Sequence, residues 1–263
     1  REFYNGDSLV RASQASRKVS SVGNMTNRNW LKQFIADRWH TELIPASSEP
    51  LTELERNAEF FSGLSHSPHL ISYPLLDIHK FWLSSEWKDE NFYVLIPGTS
   101  GTVVGKEWPA TSFSNIAMKV YQQTGWKGII CGAQQEHILG EQIRGQCDAP
   151  LQNLSGQTTL SELAGVLSNS LLTISNDTGS VFISSAVGTP SVCILGGGHF
   201  GRFLPYPDLP GQINNLKEIF HKMPCYGCNW DCVYPIKEGE PAPCIANVSV
   251  DTVWEKIKPL LTK

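Results

Sequence analysis

The chain has 263 residues, enough for one or two domains with a substantial core. Its 22 Gly, 16 Pro and 7 Cys fall short of the proportions that mark collagen-like, low-complexity or disulfide-scaffold proteins. With 21 basic against 25 acidic residues the net charge is −4, without long runs of one sign, so nucleic acid is not an expected partner. No window reaches the roughly 18 continuous apolar residues of a membrane helix. The most apolar stretch, 181 to 195, is broken by Ser184, Ser185, Gly188, Thr189 and Pro190.

Residues 1 to 85 are polar, with scattered Trp30, Trp39 and Trp82 and few clear strands, and read as a partial α/β domain. The stretch 74 to 91 is the expected connection to the rest. From residue 86 to 250 two periods alternate. Phe92-Tyr93-Val94-Leu95-Ile96 is a short apolar run closed by Pro97-Gly98, hence a strand. Phe113, Ile116, Ala117, Val120 and Tyr121 follow at helical spacing and stop at Gly125, and Gly128 to Gly132 is the next strand. Thr159 and Glu162 have capping-box spacing ahead of a helix, and Leu171-Leu172-Thr173-Ile174 is another strand. Asp177-Thr178-Gly179 opens a short helix through Ala186, and Ser191 to Leu195 is a strand ending in Gly196-Gly197-Gly198. Strands alternating with helices in this way predict a complete, parallel, Rossmann-like α/β domain. Residues 251 to 263 form a closing amphipathic helix, with Ser249 and Asp251 as candidate caps, expected to pack back toward the N-terminal part.

An open parallel sheet binds ligands beyond the carboxyl ends of its strands, and the residues there converge on a phosphate. Gly98-Thr99-Ser100-Gly101 allows backbone N–H groups to approach an anion, with Lys106 shortly beyond. The alternative is an ordinary turn and a solvated lysine. Asp177-Thr178-Gly179 offers a helix N-terminus as a second anion seat, or simply a cap. Glu136 stands where nucleotide-binding sheets often hold a ribose diol, although an acidic residue at a helix start is favourable on its own. His199 and Arg202 follow the glycine run and can serve a diphosphate or a leaving group. Cys225, Cys228, Cys232 and Cys244 make a Cys-x2-Cys-x3-Cys-x11-Cys set. Its second half lacks a paired knuckle, so free thiols or disulfides are expected ahead of zinc.

Taken together, Lys106-x-Trp108-Pro109, the 132 to 136 loop, the segment 159 to 164, Asn176-Asp177-Thr178-Gly179, Gly188-Thr189-Pro190 and the final cysteine cluster resemble the bacterial heptosyltransferase family, glycosyltransferase family 9, over about residues 92 to 262. The resemblance implies a GT-B fold, with the nucleotide sugar held mainly by the C-terminal domain. It implies that Thr99, Ser100 and Lys106 hold the donor diphosphate, Glu136 the ribose, and Asp177, Thr178 and Gly179 the phosphates and sugar, with Lys106 and Asp177 closest to the chemistry. Transfer in the family inverts the anomeric centre without an obligatory metal, using an aspartate of an N-terminal Gly-Asp loop as base.

Phe182 stands where the family usually has a His shortly after Asp-Thr-Gly. Gly6-Asp7-Ser8 is similar to the Gly-Asp loop, but Arg1 to Asn5 is no buried strand, so the base is expected to lie outside this chain. The expectation is a glycosyltransferase moving a heptose-like sugar from a nucleotide-diphosphate donor to a glycan or lipid-linked, lipopolysaccharide-type acceptor. A sugar-nucleotide epimerase of the same architecture and a non-catalytic nucleotide-sugar binding protein are the alternatives. Substrate logic places it in the cytoplasm, near the inner face of a membrane.

Overall fold

A computed structural model describes residues 6–22, 29–77, 87, 90–99, 101, 103–237 and 239–261. They fall into two units, Arg1–Ser72 with Gly201–Leu209, and Tyr73–Phe200 with Pro210–Lys263. The boundary expected at residue 85 therefore falls at 72, and the smaller unit takes back a nine-residue return of the chain.

In the smaller unit, helix α1 (Ser8–Ala12) precedes strand β1 (Val19–Ser21), helix α2 (Trp30–Asp37) and strand β2 (Glu42–Ile44). β1 and β2 pair in parallel, with α2 between them in sequence, a minimal β-α-β unit. The Asn29 side chain starts α2 by accepting the Lys32 N–H at 2.9 Å. Thr52 and Glu55 cap α3 (Glu53–Ser65) reciprocally, as Thr52 Oγ1 accepts the Glu55 N–H and the Glu55 carboxylate accepts the Thr52 N–H. Three-residue, half-buried strands carry no apolar run, which is why the sequence pattern missed them.

The larger unit holds six parallel strands: β3 (Phe92–Ile96), β4 (Lys127–Ile130), β5 (Leu151–Asn153), β6 (Thr173–Asn176), β7 (Ser191–Ile194) and β8 (Leu216–Ile219). Their order in the sheet is β5-β4-β3-β6-β7-β8. The chain steps outward from β3 to one edge, then returns to lay β6 on the other side of β3. This reversal makes the carboxyl ends of β3 and β6 the topological switch point. β5 and β8 escaped the sequence pattern because they are edge strands with exposed positions between buried ones.

Alternation along β3 feeds two layers. Tyr93 and Leu95 join Trp108, α4 (Ala110–Thr124), α5 (His137–Gly145) and α9 (Val250–Ile257) through Phe113, Ile116, Val120, Ile143, Val253 and Ile257. Phe92, Val94 and Ile96 face α6 (Leu160–Asn169) through Leu163, Ala164 and Leu167, with Trp87 against Phe92. α4 ends where Gly125 takes φ 72°, a conformation open to glycine, and the Thr159–Glu162 capping box starts α6. Ser249 caps α9 by accepting the Thr252 N–H, while Asp251 lies inside its first turn. The closing helix thus packs within the larger unit on α4, a correction to the expectation that it returns to the N-terminal part. Val253 and Ile257 find their apolar partners beside Trp108 and Phe113.

Between β6 and β7, helix α7 (Gly179–Ala186) is docked by hydroxyls: Ser184 Oγ donates to Thr173 Oγ1 at 2.7 Å and Ser191 Oγ donates to Ser184 Oγ at 2.8 Å. This satisfied polar chain lets the unusually polar β6 run buried to Asn176 and holds the start of α7 at the strand's end. Trp108 anchors the facing loop, almost fully buried, its indole N–H donating to the Val248 carbonyl at 2.8 Å and its ring edge-on to Phe113. Trp108→Ala is expected to lower unfolding free energy by about 3–5 kcal/mol in urea titrations. A loss below about 1 kcal/mol, the size of an ordinary substitution, contradicts this anchoring.

Candidate functional site

At the switch point, the Asn176 carboxamide bridges two chain segments. Its Nδ2 donates to the Pro97 carbonyl at 2.6 Å, just beyond β3, and its Oδ1 accepts the Trp108 N–H at 3.2 Å. Asn176 is fully buried. Lys106 lies two residues before Trp108 and Asp177 one after Asn176, so the bridge brings them together, with Lys106 Nζ 3.3 Å from Asp177 Oδ2. Their side chains are 15 % and 8 % exposed, so little water screens the pair. The Lys106 ammonium also sits 5.2 Å from the centroid of the Trp230 ring. Beneath them, burial and the Asp177 carboxylate hold the Cys193 thiol well above its usual range, against the opposing pull of Lys106. Cys193 is a neutral core residue.

Thr178 stands at the N-cap of α7 in extended conformation, and no side chain caps the helix. The Val181 N–H donates to the Thr178 carbonyl at 3.1 Å, and the Gly179 and Ser180 N–H groups beside Asp177 are left to a ligand or water. Gly179 is exposed, with nothing near where a Cβ would be. Phe182 is half-buried within the same helix.

The Glu136 carboxylate lies between the turns that follow β3 and β4. A Cβ at Gly98 would overlap it, and one at Gly132 would stand 2.5 Å from Oε2. Oε2 accepts the Ala133 N–H at 2.7 Å. The two glycines are therefore needed for this carboxylate to reach the strand ends. Thr99 is buried, its hydroxyl donating to Glu107 Oε1 at 3.3 Å. Ser100 lies outside the described residues.

His199 hydrogen-bonds Asn229 through Nε2 at 2.9 Å and meets the Trp230 ring edge-on. It packs against the turn that carries Trp230. Arg202 belongs to the smaller unit, where its guanidinium pairs with Glu53 at 2.7 Å and its carbonyl accepts the Glu53 N–H. Lys106, Asp177, Thr178 and Gly179 are thus brought to one strand-end edge, with Glu136 beside the glycines of the neighbouring turns. Reading the sequence by charge missed Asn176 and Trp230. Asn176 stands inside the quoted Asn-Asp-Thr-Gly motif, and the only signal for a bridging role is a buried-strand amide, visible once the strand register is known.

In the smaller unit, Gly6-Asp7-Ser8 leads directly into α1, and Asp7 is 1 % exposed. His40, whose Nδ1 contacts the Ala36 carbonyl at 3.0 Å, faces Asp7 Oδ1 with Nε2 at 3.8 Å. Residues 1 to 5, whose lack of strand character argued against this loop, lie outside the described residues.

Gly98→Ala pushes a methyl into the flexible end of Glu136 and leaves the core untouched. The variant is expected to keep the circular dichroism of the parent and to bind a nucleoside diphosphate about tenfold more weakly by calorimetry. Unchanged affinity contradicts a ligand-facing role for this carboxylate.

The chain is 28 % identical over 95 residues to lipooligosaccharide heptosyltransferase 2 of Haemophilus influenzae, covering 35 % of this chain and 27 % of that one. It is 26 % identical over 159 residues to the protein of the same name from Campylobacter jejuni, covering 60 % and 48 %. The matches thus span less than half the length of these curated relatives. Among solved structures, the E. coli ADP-heptose lps heptosyltransferase II shares the fold, with a TM-score of 0.61 at 15 % identity over 97 % of this chain and 79 % of that one. The fold class is α/β of GT-B type, as the motif resemblance implied. The model of glycosyltransferase family 9 (heptosyltransferase) matches residues 53–229, from the capping box of α3 to the Trp230 turn, and the chain belongs to that family.

Proposed function

We propose that the protein transfers a heptose-type sugar from an ADP-linked donor to a hydroxyl of a lipopolysaccharide-type glycan, with inversion. The observation that carries this reading is the Lys106–Asp177 pair beside the uncapped start of α7, at the switch point of a parallel sheet. In such a transfer the acceptor oxygen attacks the anomeric carbon from the face opposite the diphosphate. The carbon–oxygen bond to the phosphate breaks, and negative charge gathers on the departing nucleotide. A poorly screened ammonium and the N–H groups at a helix start are donors aimed where that charge develops, and they need little reorganisation to meet it. Asp177 keeps Lys106 positioned before the donor arrives, and Glu136 accepts hydrogen bonds from the ribose hydroxyls. These groups make a metal unnecessary for binding the diphosphate. The acceptor proton goes to a carboxylate base.

The acceptor chemistry and a cytosolic location near a membrane follow from the donor class. No described helix is long and apolar enough to cross a membrane. With ADP-heptose and a heptose-acceptor core glycan, mass spectrometry is expected to find one heptose added and ADP released. Epimerised donor without transfer supports the epimerase reading instead. Lys106→Ala is expected to weaken ADP binding by about tenfold or more.

A further inference from the structure

Four cysteines remain without a role. Cys225, Cys228 and Cys232 lie in the turns after Met223, and Cys244 lies in the first turn of α8 (Pro243–Ala246). All four are free thiols, and all four line one small cavity together with Gly197, Gly198 and Trp230. The other three cysteines do not reach it.

The backbone around the cavity is arranged to serve sulfur. The Gly197 N–H donates to Cys244 Sγ at 3.5 Å. The Cys-x2-Cys turn is fixed on the glycine run by the Gly227 N–H to the Gly197 carbonyl at 2.8 Å and the Asn229 N–H to the Gly198 carbonyl at 2.9 Å. Asn229 and Trp230 both hold left-handed backbone, φ 53° and 64°, directly after the second cysteine. That conformation costs free energy for residues with side chains, and it turns the chain back over the cavity. The indole Nε1 of Trp230 is buried with no acceptor, an unmet donor on the wall of a thiol-lined space.

We infer that Cys225, Cys228, Cys232 and Cys244 form a tetrahedral thiolate site for one thiophilic divalent cation, Zn²⁺ or Fe²⁺. Four sulfurs with no oxygen ligand select this class of ion. Among the described residues no three groups already converge on one point. Capture therefore draws the Cys225–Cys232 turn inward, with each thiol giving up a proton as its sulfur–metal bond forms. A thiolate in the cavity gives the Trp230 N–H the acceptor it lacks. The site would hold in place the turn whose Trp230 ring lies under Lys106, although it stands on its own observations and does not depend on the transferase reading.

The test is metal uptake by the whole chain, purified under reducing conditions and stripped with a chelator. Zn²⁺, or Fe²⁺ under anaerobic conditions, is expected to bind one to one and to protect four thiols from a thiol reagent. Elemental analysis of protein purified without added metal distinguishes the two ions. Co²⁺ is expected to give the intense visible absorption of tetrahedral thiolate coordination. Cys225→Ser with Cys228→Ser is expected to abolish uptake, while Cys147→Ser retains it. Absence of stoichiometric uptake by the unsubstituted chain, unchanged thiol reactivity on adding metal, or an octahedral Co²⁺ spectrum overturns the inference, whatever the folding of the variants.

Discussion

One buried carboxamide organises the strand-end edge of the larger unit. Asn176 spends its donor on the segment leaving β3 and its acceptor on the segment entering α4. A buried amide left without either partner costs about 1–3 kcal/mol, so both segments are held where the amide can reach them. Lys106 and Asp177 lie within two residues of the bridged positions. Their 3.3 Å separation follows from the bridge rather than from mutual attraction alone, which would be opposed by their own desolvation.

The same economy explains why Lys-x-Trp-Pro and Asn-Asp-Thr-Gly occur as a pair. The tryptophan fixes its loop through the Val248 carbonyl and the α4 core, the asparagine joins that loop to β6, and the flanking lysine and aspartate face each other. The hydroxyl chain through Thr173, Ser184 and Ser191 then sets α7, so that its uncapped start lies next to Asp177. Chemistry-bearing residues are few here. Most of the motif serves to place them.

The central strands were legible because burial on both faces leaves an unbroken apolar run, as in Phe92 to Ile96. The capping box at Thr159 and the left-handed stop at Gly125 were legible because their cause is local. β5 and β8 were not, since an edge strand needs a neighbour to define it. The start of β6 was read two residues early because Leu171 and Leu172 are apolar, whereas the strand itself is polar and satisfied by partners distant in sequence. Within the site, a lysine, an aspartate and a glutamate announce themselves by charge. Asn176 and Trp230 act through a hydrogen bond and a ring face, and neither is visible until the register is known.

The central claim is that Lys106 and the start of α7 hold one diphosphate together. Nuclear magnetic resonance titration with ADP tests it directly, following the Lys106 side-chain ammonium and the Gly179 and Ser180 amides. The account predicts that all three signals move with one saturation curve, and that adenosine alone leaves them in place. Separate saturation curves for the ammonium and the amides, or equal shifts with adenosine, would contradict it.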